Sequence, residues 1–320
     1  MNSSQPFGDL SSSSSSTPDT IVMAALSKLL QIASSGPPSW TSVFKIFFLA
    51  LALVNTKSLP LTWHFRFYRS LFHHLFRRRS HIPTPNHLFS PVSTTSRSPL
   101  YECDLNLHKS NSTYFSDLDI ARTHLICHLF KHSLRTRRSM YVALAGVSCL
   151  FRREIKPFEK YEVVNRVLGW DGKWVWVVSH FVQLGGKRET GKNAEKPQRK
   201  IFASALSKYV FKMGRITVKP EELLNECKLL PPRPAVAASA GTQTDVALGE
   251  GKMSEEELLE QLDAAPALLE GADEYWTWER VEAERARGCL IAQCMLGLDQ
   301  LEAEIRGGEE EGLAKVGNFY

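Results

Sequence analysis

An acid, an amide and an imidazole alternate along five residues of the chain, at Asp104, Asn106 and His108. A carboxylate beside a carbonyl group can activate water as a general base, or attack the carbonyl carbon as a nucleophile and form an anhydride. An amide can orient the water, and a histidine can polarise the carbonyl or hold its loop in place. These three residues are therefore candidates for the general-base hydrolysis of an acyl group, and a plain polar loop before a helix is the alternative.

The residues that follow predict a place for the acyl oxygen. Asn111, Ser112 and Thr113 stand at the start of a segment, 112–131, whose apolar residues recur at helical spacing. A helix N-terminus carries unpaired main-chain N–H groups and a partial positive charge, so it can stabilise an oxyanion. We therefore expect these three residues to bind the substrate. The same polar residues also suit an ordinary N-cap, and spacing alone leaves a purely capping role open.

A sheet is predicted after this helix. Its main strands are rich in Val, Tyr, Trp and Phe, and they cover residues 141–152, 161–170, 174–184 and 201–213. Asp171 and Gly172 form a typical hairpin signal between two of them. A helix followed by antiparallel strands must be buried against one face of the sheet. The sequence therefore predicts an α+β protein with a hotdog fold, a curved sheet wrapped round a central helix.

The whole chain divides by composition into six predicted parts. They are a mostly disordered N-terminus (1–39), a hydrophobic segment (40–61), a basic and Pro/Ser-rich linker (62–99), the hotdog domain (100–231), a second linker (232–252) and an acidic helical extension (253–320). The net charge of +5 hides an asymmetry, because the residues from Arg233 onward hold 7 basic and 19 acidic side chains. Residues 233–320 therefore carry a net charge of −12 and residues 1–232 a net charge of +17, so the two regions are electrostatically opposite.

The hydrophobic segment 40–61 has about the twenty residues that a bilayer-spanning helix needs. Several arginines follow it, at positions 66, 69, 77, 78 and 79, and such residues favour the anionic cytosolic leaflet. We therefore expect a single-pass anchor in an internal membrane, in contact with lipid and with the catalytic domain in the cytosol. The alternative is a buried or interfacial helix in a cytoplasmic protein.

Other classes of function are disfavoured by composition. Hydrophobic residues make up 43% of the chain and charged residues 23%, which excludes a wholly disordered chain and a polytopic membrane protein. The six cysteines are irregularly spaced, with no CxxC pair and no Cys/His cluster at zinc spacing. We therefore expect neither a metal nor a cofactor. No recognisable nucleic-acid-binding module accompanies the basic residues, so no nucleic-acid partner is expected.

The motif over residues 102–115 resembles the D-x-D-x-x-x-H-x-N-N-x-x-Y-[LI] element of hotdog thioesterases and aligns without a gap. Glu102 and Ser110 take the places of the first acid and the first asparagine. Residues 157–159 (Pro-Phe-Glu) and 168–171 (Leu-Gly-Trp-Asp) are similar to a second run in the membrane-anchored group typified by thioesterase superfamily member six. Fungal thioesterases of the leucinostatin- and aspercryptin-cluster type show the same layout.

The resemblance implies cleavage of acyl-CoA or acyl-carrier-protein thioesters, fatty-acyl or polyketide-type, in a fungal pathway of secondary metabolism. It also points to Asp104, Asn106 and His108 as the catalytic set. Hotdog sites are typically completed across a two-fold axis, and unpaired edge strands invite association, so a homodimer is expected. Two alternatives remain, a non-catalytic hotdog scaffold that binds a partner and a hotdog dehydratase.

Overall fold

The computed structural model describes residues 39–77, 83–185, 199–234 and 276–293, together with residue 27. Most of the predicted disordered N-terminus, of the second linker and of the acidic extension lies outside the described residues. The chain divides into two compact units between Leu59 and Pro60.

The first unit contains helix α1 (Trp40–Val54), which is shorter than the sequence predicted. The helix ends at Asn55, whose side-chain Nδ2 and main-chain N–H both donate to the Leu51 carbonyl, at 2.9 and 3.1 Å. A 3-10 turn (Thr56–Ser58) follows. At 15 residues, α1 is about 22 Å long, less than the roughly 30 Å of a bilayer core.

Among the residues that the structure describes, no helix combines the length and the hydrophobicity needed to cross a membrane. The predicted anchor over residues 40–61 is therefore wrong. The single-pass membrane localisation that depended on it is overturned as well.

The second unit is built on one antiparallel sheet. Its strands are β1 (Val92–Arg97), β2 (Met140–Phe151), β3 (Lys160–Trp170), β4 (Val175–Gln183), β5 (Ile201–Met213) and β6 (Ile216–Val218). The strand order is β1-β3-β4-β5-β2, and β6 pairs with the end of β5. The four main predicted strands are confirmed to within one residue at nearly every end. The edge strand β1 lies inside the range assigned to the basic linker.

The helices of this unit are α2 (Thr62–Phe72), α3 (Asn111–Leu129), α4 (Lys131–Thr136), α5 (Pro220–Glu226) and α6 (Trp278–Ala292). The central helix is α3, and its buried face carries Tyr114, Leu118 and Ala121 against inward side chains of the sheet such as Phe181 and Phe202. Burial of each large apolar side chain contributes about 1.5–3 kcal/mol. The sheet and this helix form the predicted hotdog architecture.

The C-terminal helix α6 packs on β3 at very close range. A Cβ atom added to Gly288 would lie 1.7 Å from the Leu168 carbonyl oxygen, so only glycine fits there. Arg285 Nη1 also donates to the Trp170 carbonyl at 2.9 Å, and Arg166 forms a 3.0 Å ion pair with Glu284. Part of the extension predicted from composition is therefore built into the folded unit.

Candidate active site

The predicted catalytic residues lie on one closed loop, residues 102–110, which leads into α3. Main-chain hydrogen bonds hold its base, because the Ser110 N–H donates to the Glu102 carbonyl at 2.8 Å and Cys103 forms a β-bridge with Lys109. Within the loop, the Asp104 N–H donates to the His108 carbonyl at 3.0 Å. The loop is therefore a defined turn with Asp104 and His108 opposite each other.

The structure brings the side chains of Asp104 and His108 together. His108 Nδ1 lies 3.3 Å from Asp104 Oδ2, and the other carboxylate oxygen accepts the Asn106 main-chain N–H at 2.9 Å. The Asp104 and His108 side chains are 34% and 24% exposed, so both remain accessible to a substrate. The exposed Asn106 thus contributes its main-chain N–H to Asp104. A second carboxylate, which the sequence did not predict, also lies near His108: Glu154 Oε1 is 3.9 Å from His108 Nε2.

The predicted substrate-binding residues form the first turn of α3. Asn111 and Ser112 are exposed and Thr113 is half-buried. The Thr113 N–H and its Oγ1 both donate to the Ser110 carbonyl, at 3.0 and 2.7 Å. The N–H and hydroxyl groups of Thr113 therefore stabilise the start of α3. The main-chain amides of Asn111 and Ser112 belong to the first turn, where intrahelical acceptors are absent, and they are the better placed of the three to meet an acyl oxygen.

A buried ionic network underlies this loop. Lys109 has a fully buried side chain, and its Nζ lies 2.6 Å from Glu102 Oε2 and 3.0 Å from Asp117 Oδ2. The Tyr161 hydroxyl donates to the same Asp117 oxygen. Burial raises the pKa of Tyr161 well above its usual value, and the neighbouring Asp117 charge adds to that rise. The base of the loop is thus fixed by a cation between two buried carboxylates.

This network was not predicted, because its members are far apart in sequence and follow no helical or strand period. The one available signal was the position of Lys109, a charged residue between His108 and a helix with a buried face. Among the described residues, no group of three or more His, Cys, Asp or Glu side chains is arranged to hold a metal ion.

Residues 98–215 match the model of the thioesterase-like superfamily. The chain is 37% identical over 307 residues to the probable thioesterase atnL of Emericella nidulans, covering 86% of this chain and 91% of that one. It is 38% identical over 319 residues to the thioesterase poxG of Penicillium oxalicum, covering 90% and 94%.

A shorter match links the chain to Protein THEM6 of Xenopus laevis, with 30% identity over 91 residues, 26% of this chain and 41% of that one. The resemblance to fungal thioesterases and to the member-six group is therefore confirmed. With relatives this similar along nearly their whole length, the chain belongs to the thioesterase-like superfamily.

Proposed function

We propose that the protein hydrolyses acyl thioesters of coenzyme A or of an acyl carrier protein, with fatty-acyl or polyketide-type acyl groups. The observation that carries this proposal is the Asp104–His108 pair, partly exposed on a fixed loop beside the N-terminus of the buried helix α3. The relatives named thioesterases support the same chemistry.

The proposed reaction uses Asp104 as general base. The carboxylate takes a proton from water as the water oxygen bonds to the thioester carbonyl carbon, and the Asn111 and Ser112 amides receive the developing oxyanion. The intermediate collapses when the carbon–sulfur bond breaks, and the leaving thiolate takes the proton back from Asp104. His108, 3.3 Å from the carboxylate, holds it in this position. Direct attack by Asp104 would instead give an anhydride that water then cleaves.

The proposal predicts release of free thiol from acyl thioesters. Full-length protein is incubated with a series of acyl-CoA and acyl-pantetheine thioesters of increasing chain length, and thiol release is followed with a thiol-reactive dye. We expect turnover well above the buffer rate for at least one acyl length. A rate equal to buffer alone across the whole series would contradict the proposed hydrolysis.

We further propose that the chain forms a homodimer through β2. Among the described strands β2 pairs only with β5, so it is an edge strand of 12 residues. Large apolar side chains on it are exposed, namely Leu144, Leu150 and Phe151. An edge of this length with exposed apolar groups favours pairing with a second copy.

Size-exclusion chromatography with light scattering tests this assembly. We expect a mass twice the 36.1 kDa of one chain, and a shift toward a single chain in the variant Leu150→Lys, because charge on an edge strand opposes pairing. The matched control is Lys160→Met, at an exposed position on another strand, which should keep the dimer mass. A single-chain mass for the unmodified protein at all concentrations would rule out the dimer.

A further inference from the structure

A cavity lies between α2, α3 and the strands β1 and β3, and no residue of the loop that carries Asp104 lines it. Its volume is about 310 Å³. The polar groups lining it come mainly from α2 and β1: Arg66, Arg69, Ser70, His73, Thr94 and Ser96. It is lined by two guanidinium groups and several hydroxyls, a donor set that suits an oxyanion.

The cavity is electropositive. Asp117 is the only carboxylate that lines it among the described residues, and that carboxylate is already bonded to Lys109 and Tyr161 through Oδ2. Its other oxygen lies 3.4 Å from Arg66, a long contact that leaves other guanidinium N–H groups of Arg66 for a ligand. The pKa of His124, which also lines the cavity, is lowered, first by burial and then by the positive charges around it.

An independent observation comes from Ser70. Its side chain is 4% exposed, it lines the cavity, and its Oγ has no hydrogen-bond partner among the described residues. A buried hydroxyl without a partner lowers stability, so native proteins rarely keep one without a reason. A ligand oxygen in the cavity would satisfy it.

We propose that this cavity binds a phosphate group, with Arg66 and Arg69 neutralising its charge and Ser70 donating to one of its oxygens. Donors from two sides, α2 and β1, fit a tetrahedral oxyanion better than a planar carboxylate. The volume exceeds that of one phosphate, so a phosphate ester also fits. The source is either free inorganic phosphate or the phosphates of a coenzyme A-type ester, and the proposal goes beyond the hydrolysis at Asp104.

Isothermal titration of the full chain with inorganic phosphate and, separately, with coenzyme A tests the site. The variants are Arg69→Gln and Ser70→Ala, and the matched control is Arg215→Gln, an exposed arginine in the turn between β5 and β6. We expect each site variant to weaken binding about tenfold or more, since a hydrogen bond to a charged group contributes about 1.5–3 kcal/mol. The control should bind like the unmodified protein.

If the protein binds inorganic phosphate and both variants weaken that binding, the site takes free phosphate. If the variants weaken only the binding of coenzyme A, the site takes the phosphate ester. Absence of binding by both probes, or equal binding by variants and control, overturns the proposal. Ser70→Ala removes a buried hydroxyl that makes no bond to a described residue, so its thermal unfolding temperature should be no lower than that of the unmodified protein. Hydrolysis of an acyl N-acetylcysteamine thioester, which has no phosphate, should be unchanged in both variants, so the two proposals fail separately.

Discussion

Replacing Asp104 with asparagine is expected to lower the turnover of acyl thioesters by about a hundredfold or more. General acid–base catalysis by a positioned side chain contributes about 10²–10⁴-fold, and a neutral amide can neither take the proton from water nor attack the carbonyl carbon. The measurement is kcat from thiol release, with the best thioester from the chain-length series. Unchanged turnover in Asp104→Asn would remove this carboxylate from the chemistry.

The same substitution should leave the fold intact, which makes the loss of activity interpretable. Asp104 is partly exposed, and its Oδ1 accepts the Asn106 N–H at 2.9 Å, a role that the asparagine side-chain oxygen can also perform. A matched control is Asp171→Asn, because Asp171 accepts the Lys173 and Trp174 N–H groups in the same way, in a hairpin turn. Circular dichroism should be unchanged in both variants, and only Asp104→Asn should lose activity.

The sheet could be predicted from sequence because its strands are long and rich in β-branched and aromatic residues. The edge strand Val92–Arg97 was not predicted because five of its six residues are Ser, Thr or Arg. It pairs with β3 through main-chain hydrogen bonds, which leave no apolar pattern in the sequence. The membrane anchor was predicted wrongly for a related reason. The length and hydrophobicity of residues 40–61 suggested a bilayer span, whereas the helix stops at Asn55, whose side chain bonds to the Leu51 carbonyl.

The candidate site was predictable in part. Motif spacing placed Asp104 and His108 on one loop, and the structure shows them 3.3 Å apart. Spacing carried no information on Glu154, which comes from a different loop, or on the partners of Lys109, which the fold alone brings together. The ion pair between Asp119 and Arg122, 2.6 Å apart on α3, joins residues at i and i+3, a spacing that brings side chains together on any helix. Contacts between residues close in sequence could therefore be predicted, and contacts between residues far apart in sequence could not.

Replacing Lys109 with methionine is expected to destabilise the protein by about 3–5 kcal/mol, the usual cost of removing one partner from a buried ion pair. Because methionine fills a volume similar to that of lysine, the expected loss of stability comes from the missing charge. The Glu102 and Asp117 side chains, only 9% and 2% exposed, would then lose the cation between them, while Asp117 keeps its 3.4 Å contact with Arg66. Urea unfolding followed by circular dichroism measures the change, and Lys160→Met, at an exposed strand position, should stay within about 0.5 kcal/mol of the unmodified protein.

A double variant separates charge from packing at this position. If the missing lysine charge causes the loss, adding Glu102→Gln to Lys109→Met should restore part of the stability, because it removes one buried negative charge. No recovery in the double variant would mean that other contacts of Lys109, among them those of its Nζ with the Tyr114 and Tyr161 rings at 5.4 and 5.5 Å, matter more than its ion pair with Glu102. Because Glu102 and Lys109 close the base of the loop that carries Asp104, recovered stability with turnover still below that of the unmodified protein would show that the ion pair also positions the Asp104 carboxylate.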